Sequence, residues 1–157
     1  MAIEKVRNYL AAFGMENRIR EFDVSSATVE LAAQALGVEG KRIAKTLSFD
    51  GDGKCLLIVA AGDAKVDNKK FKAQFARKAK MLSFDEAETK IGHAVGGVCP
   101  FAINDGCEVY LDESLKRFET VFPACGSSRS AIELTIEELE KVAEHFVSWV
   151  DVCKDWE

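Results

Sequence analysis

Residues 93–101 read HAVGGVCPF and gather an imidazole, two adjacent glycines, a thiol and one of the chain's two prolines. Three kinds of chemistry or structure suit that set. Cys99 as a nucleophile needs a base, and His93 is the nearest imidazole in the chain. Alternatively, Gly96 and Gly97 let the backbone come close to a ligand and present bare N–H groups to it. Pro100 would hold that geometry by fixing its own φ and restricting Cys99, while Val98 completes the loop. The third reading is a plain turn between a helix and a strand, and spacing along the chain does not choose among the three.

Two other stretches offer polar groups. In AKTLSFD (44–50) alternate residues share a face, so Lys45 lines up with Leu47 and Phe49. A lysine leading an apolar face snorkels to water, pairs with an acid, or stands at the mouth of a pocket. The turn CGSSRS (125–130) sets Gly126, Ser127 and Ser128 between two apolar runs. It reads as a solvated hairpin loop or as one wall of a small polar pocket. Other signatures fail. DGDGK, from Asp50, opens like a calcium loop but has Cys55 where glycine is needed and Ala61 where a bidentate glutamate belongs. Neither GxxxxGK[ST] nor GxSxG occurs.

The totals narrow the setting. The chain has 157 residues and 48% hydrophobic composition, enough for one domain with its own core, spanning 1–157. No apolar run is long enough to cross a bilayer. The N-terminal residues thread charges at helical spacing, unlike a signal peptide, so a cytoplasmic protein is expected. The five cysteines (55, 99, 107, 125, 153) form no CxxC pair, and His93 and His145 are far apart. Reduced thiols packed as small apolar groups fit better than disulfides or a zinc site. The net charge is −5, yet residues 64–80 alone balance to +6, leaving −11 on the rest. Such a basic stripe is either a solvated helix face or a local contact for a polyanion.

Several elements follow from periodicity and capping signals. Ile3, Val6, Leu10 and Phe13 share a helical face ahead of Gly14. Thr28 caps a short helix that Gly37 ends, and AKTLSFD and CLLIVAAG form a hairpin around DGDGK. Asp67 caps a helix carrying the basic stretch, while SFDE (83–86) and TIEE (135–138) are capping boxes. The second of these opens a helix expected to run to about His145. CEVYLD, TVFPAC and SAIELT read as strands, and the C-terminal FVSWVDVCKDWE fits a strand or a frayed tail. The elements lack a clean βαβα rhythm, which predicts an α+β domain with a mixed, barrel-like sheet and surrounding helices.

The order of these stretches resembles the YbaK/EbsC family, free-standing relatives of the editing domain inserted in bacterial prolyl-tRNA synthetases. The resemblance rests on Lys45 opening a strand after AAQALG, then AAGDAKVDNKKF, the Gly-x-x-x-Pro loop from Gly96 to Pro100, and a Gly/Ser turn before AIELTIEEL. It implies a compact mixed fold and hydrolysis of mischarged aminoacyl-tRNA in trans, without metal, cofactor or side-chain nucleophile. In the family the equivalent of Lys45 helps hold the RNA 3′ end, and the Gly96–Pro100 loop lies by the aminoacyl carbonyl. The resemblance implies a small amino acid such as Ala, Cys or Ser as cargo and a terminal ribose hydroxyl, or the substrate's own thiol, assisting ester cleavage. It implies aminoacyl-tRNA as partner, leaves an aminoacyl-tRNA synthetase open as a second, involves no membrane, and says nothing of oligomeric state. Lys69, Lys70 and Lys72 are placed on the acceptor stem by their charge and not by the family pattern. Many relatives carry an acidic residue where Ala131 stands here; if that acid helps choose the amino acid in relatives, the choice must be made differently here, and His93 is a further local feature. A non-catalytic module that binds the tRNA 3′ end with the same fold is the alternative.

Overall fold

The computed structural model describes residues 2–156. Its frame is a curled, mixed six-stranded sheet built around the hairpin of β2 (Ile43–Asp50) and β3 (Cys55–Ala61). Strand β3 is buried at every position, as befits a central strand covered on both faces. On one side it pairs in parallel with β5 (Cys107–Asp112), which pairs in parallel with β9 (Phe146–Val150). On the other side β2 pairs in parallel with β6 (Thr120–Pro123), and β6 pairs antiparallel with β8 (Leu134–Thr135). Two-stranded patches tie down the edges. They join β1 (Arg20–Glu21) to β7 (Ser130–Ala131), and β4 (Lys65–Val66) to β10 (Cys153–Lys154).

The helices pack by the apolar stripes the sequence shows. Helix α1 (Ala2–Ala11) buries Ile3, Val6 and Leu10. Helix α2 (Val29–Leu36) is capped by the Thr28 hydroxyl and ends at Gly37 in the left-handed region. Asp67 caps α3 (Asn68–Phe75), whose Phe71 ring lies 4.9 Å from that of Phe49 on β2. Both capping boxes form, opening α4 (Phe84–Ile91) and α5 (Ile136–Val142).

Three expectations change. SAIELT is not one strand: Ser130–Ala131 pairs with β1 while Leu134–Thr135 pairs with β6, and the Ile132 amide between them bonds the Pro123 carbonyl. Helix α3 stops at Phe75, because Ala76 turns left-handed at φ +57°, so Arg77, Lys78 and Lys80 lie outside it. Helix α5 ends at Val142, short of His145, which itself has φ +57°. The ambiguous C-terminus resolves into β9 and β10.

Candidate active site

Between α4 and β5 the chain makes the HAVGGVCPF loop. The Gly97 amide donates to the Ala94 carbonyl at 3.0 Å, closing a turn in which Gly96 has φ +97°. That third turn position favours glycine because a side chain there crowds its own backbone. Gly97 is required for a different reason. A Cβ on it would lie 2.6 Å from both the Gly126 carbonyl carbon and the Ser127 nitrogen, and neither backbone atom can swing away. The Gly126 amide in turn donates to the Gly97 carbonyl at 3.1 Å. The two turns singled out by their composition are therefore packed backbone to backbone, although 29 positions separate Gly97 from Gly126.

In front of this contact lies a cavity of about 300 Å³. Its walls are β2 from Ile43 to Ser48, the segment Ser26–Val29, and Gly96 and Val98 of the loop. Ala124, Ser130 and Ala131 close it from the other turn, and Met81, Phe84 and Val95 also line it. Lys45 is the cavity's charged residue; no acidic residue, histidine or cysteine lines it among the described residues. The amides of Gly96 and Val98 donate to no protein acceptor among the described residues, whereas that of Gly97 is used within the turn.

Lys45 is half-buried, and its ammonium donates to the carbonyl oxygens of Gly62, at 3.4 Å, and Ala64. Burial lowers its pKa from the ordinary lysine value, partly opposed by Cys153 and Asp63 nearby. An ammonium has three N–H donors, so one remains after these two carbonyls.

Several residues proposed for the site stand elsewhere. Cys99 is fully buried, with its Sγ 3.6 Å from His93 Nε2 and 3.7 Å from the Phe101 carbonyl oxygen. Burial pushes the thiol up to about 12. His93 is also buried, and its Nε2 lies 2.7 Å from the same Phe101 oxygen. A carbonyl only accepts, so Nε2 carries the proton and cannot take one from Cys99. Burial also lowers the pKa of His93, which favours the neutral ring. The pair thus packs the loop onto the core, and neither residue lines the cavity. Pro100 is buried too, its carbonyl accepting from the Glu144 amide at 2.8 Å.

Gly126, Ser127 and Ser128 brace the loop from behind and do not line the cavity, which Ser130 and Ala131 reach instead. The Ser127 and Ser130 hydroxyls bond each other at 2.7 Å, and the Ser128 carbonyl accepts from the Ser26 amide at 2.6 Å. On α3, Lys69 and Lys72 are exposed, while Lys70 donates to Asp151 and to the Cys153 carbonyl, each at 3.0 Å. None of the three lines the cavity. Sequence reasoning missed the Ser26–Val29 wall and the Met81–Phe84 rim. A legible signal existed in SFDE, where an aromatic directly follows the capping serine in a short helix whose core face needs only Ala87 and Ile91.

With the geometry in hand, comparison with known proteins is specific. The model of the aminoacyl-tRNA editing domain matches residues 23–142, which include both turns and every cavity-lining residue. A Bacillus subtilis (strain 168) protein described as uncharacterized protein YwhH is 56% identical over 158 residues, covering 100% of each chain. Among solved structures, one described as a proposed trans-editing enzyme for prolyl-tRNA synthetase superposes with a TM-score of 0.87 at 27% identity. That match covers 98% of this chain and 97% of the other. The hypothetical protein APE2540 gives a TM-score of 0.84 at 27% identity, covering 96% and 99%. The chain belongs to the aminoacyl-tRNA editing domain family, the YbaK family.

Proposed function

We propose that the protein is a trans-acting deacylase that hydrolyses the ester of a mischarged aminoacyl-tRNA carrying a small amino acid such as Ala, Cys or Ser. The observation that carries this reading is a small cavity lined by Lys45 and by Gly96 and Val98, two residues whose backbone N–H groups donate to no protein acceptor among the described residues. Among the described residues its lining offers no acid, imidazole or thiol to act as nucleophile or base. An aminoacyl ester is already reactive, so orientation and stabilisation of the developing oxyanion suffice. In this scheme the amides of Gly96 and Val98 point at the carbonyl oxygen as water adds to the carbonyl carbon. The free hydroxyl of the terminal ribose assists the attacking water, the ester C–O bond breaks, one proton of the water passes to the departing ribose oxygen, and the amino acid leaves as the acid. Gly97, Cys99 and Pro100 hold the loop rather than meet the substrate, as do Gly126, Ser127, Ser128 and His93. The third N–H of Lys45 contacts a phosphate of the RNA end as a point charge. Ala27, Ala32, Ala44, Ala87, Ala124 and Ala131 contribute small side chains to the lining, which suits a small acyl group.

The test is a deacylation panel of alanyl-, cysteinyl- and seryl-esters on several tRNAs. Turnover of at least one is expected, and Lys45→Ala should lower its rate by roughly ten- to a hundredfold, the scale of one charge-assisted contact. A panel with no turnover above background, alongside salt-dependent RNA binding, would favour the non-catalytic module and overturn the proposal.

A further inference from the structure

Three large apolar side chains that the fold leaves in solvent belong to one place. Met81 is 59% exposed, Phe84 74% and Val95 46%, and all three line the cavity described above. Phe84 continues the core stripe of α4. At positions 84, 87 and 91 the residues share one helical face, with Ile91 and Ala87 buried and Phe84 emerging beyond them. Among the described residues no aromatic ring packs against it. An exposed aromatic on an apolar rim is the kind of surface that marks a ligand contact.

We infer that Phe84, flanked by Met81 and Val95, is a stacking platform for the nucleobase of the terminal nucleotide of the bound RNA. The inference rests on the cavity being the ester site. The acyl group is esterified to the terminal ribose, and that ribose carries the base, so placing the ester inside puts the base one sugar away. A cavity of about 300 Å³ is at the small end for ligand sites and takes the acyl group and sugar, leaving the base at the mouth. The apolar character of the rim selects which part of the nucleotide lies there. Met81, Phe84 and Val95 offer no side-chain donor or charge for a phosphate, whereas the uncharged face of a base suits such a surface, and every base has such a face.

The experiment uses an acceptor-stem minihelix ending in CCA with 2-aminopurine in place of the terminal adenine and a separate dye at the 5′ end. Dye anisotropy reports binding, and 2-aminopurine emission reports stacking. The wild-type protein is expected to quench 2-aminopurine on saturation. Phe84→Ala is expected to abolish the quench and weaken binding roughly 5- to 150-fold, while Phe84→Trp keeps both. Because Phe84 is mostly exposed, the thermal midpoint of Phe84→Ala should stay near that of the parent. Saturable binding without a quench, or an unchanged quench and affinity in Phe84→Ala, overturns the inference; a rim buried instead by self-association of the chain would give the first of these. If esters are hydrolysed while Phe84→Ala behaves as wild type, the inference falls and the deacylase reading stands. If the quench follows Phe84 but no ester in the panel turns over, the deacylase reading falls and the platform stands. No binding at all overturns both.

Discussion

A thiol and an imidazole 3.6 Å apart have the spacing of a nucleophile and its base, and proton placement decides against that role. Cys99 is fully enclosed, so ionising it would place a charge in an apolar medium, and its pKa rises to about 12. His93 spends its Nε2 proton on the Phe101 carbonyl. Cys99→Ala is therefore expected to keep ester hydrolysis within a few-fold of the parent while lowering thermal stability by the loss of a buried side chain. The native protein should also resist iodoacetamide at Cys99 at pH 8 until it is denatured. Rapid native alkylation at Cys99, read by peptide mass and accompanied by loss of activity, is the contrary result. Lys45 makes the same point in reverse. Its type and strand position are plain in the sequence, but the carbonyls of Gly62 and Ala64 that hold its ammonium are not.

At the level of elements, capping chemistry is the part that local sequence controls best. Thr135 and Glu138 close the N-terminus of α5, and Arg18, from a distant turn, makes a two-pronged contact with the Glu138 carboxylate at 2.7 and 2.9 Å. Arg18 first, then the Thr135 amide, holds Glu138 down at about 2, against an ordinary value of 4.5. The folded-state pKa is depressed, so the folded protein releases this proton more readily than the unfolded chain. The stabilisation is complete above about pH 4.5 and is lost as pH falls through about 2. Both side chains remain partly in water, so the pair contributes no more than about 0.5–1 kcal/mol. Arg18→Ala should lower the urea midpoint at pH 7, and the difference from the parent should shrink progressively below pH 4.5. A difference that stays constant to pH 2 would show that Arg18 acts through packing instead.

Across the whole molecule, charge is segregated: residues 64–80 balance to +6 and the remainder to −11. Yet α3 accounts for only part of the basic stretch, and Lys70 is tied to Asp151, leaving Lys69 and Lys72 as its cations outside any ion pair among the described residues. The stretch then runs through Arg77, Lys78 and Lys80 to Met81 on the cavity rim, with Arg77 paired to Asp50 at 3.4 Å. If Lys72 meets an RNA phosphate, Lys72→Gln should weaken tRNA binding across sequences. It should also flatten the slope of log K against log salt by about 0.7–0.9. An unchanged slope with unchanged affinity would remove α3 from the interface and leave the segment after it.

The sequence by itself determined where α2, α3, α4 and α5 start and what caps them, the β2–β3 hairpin and the mixed character of the sheet. Apolar period, capping residues and turn residues act within a few positions of one another. It also marked Gly96, Gly97, Pro100 and Lys45, because residues with special backbone freedom or a charge on an apolar face stand out locally. Only the tertiary structure decided what these residues do. Gly97 has to be glycine because Gly126 and Ser127 arrive from another part of the chain, and Cys99 is shut away from the cavity because the core closes around it. Phe84 matters because the helix that buries Ala87 and Ile91 carries it past the edge of the core. Contacts between segments distant in sequence set burial, and burial set which of the polar and aromatic groups face the cavity.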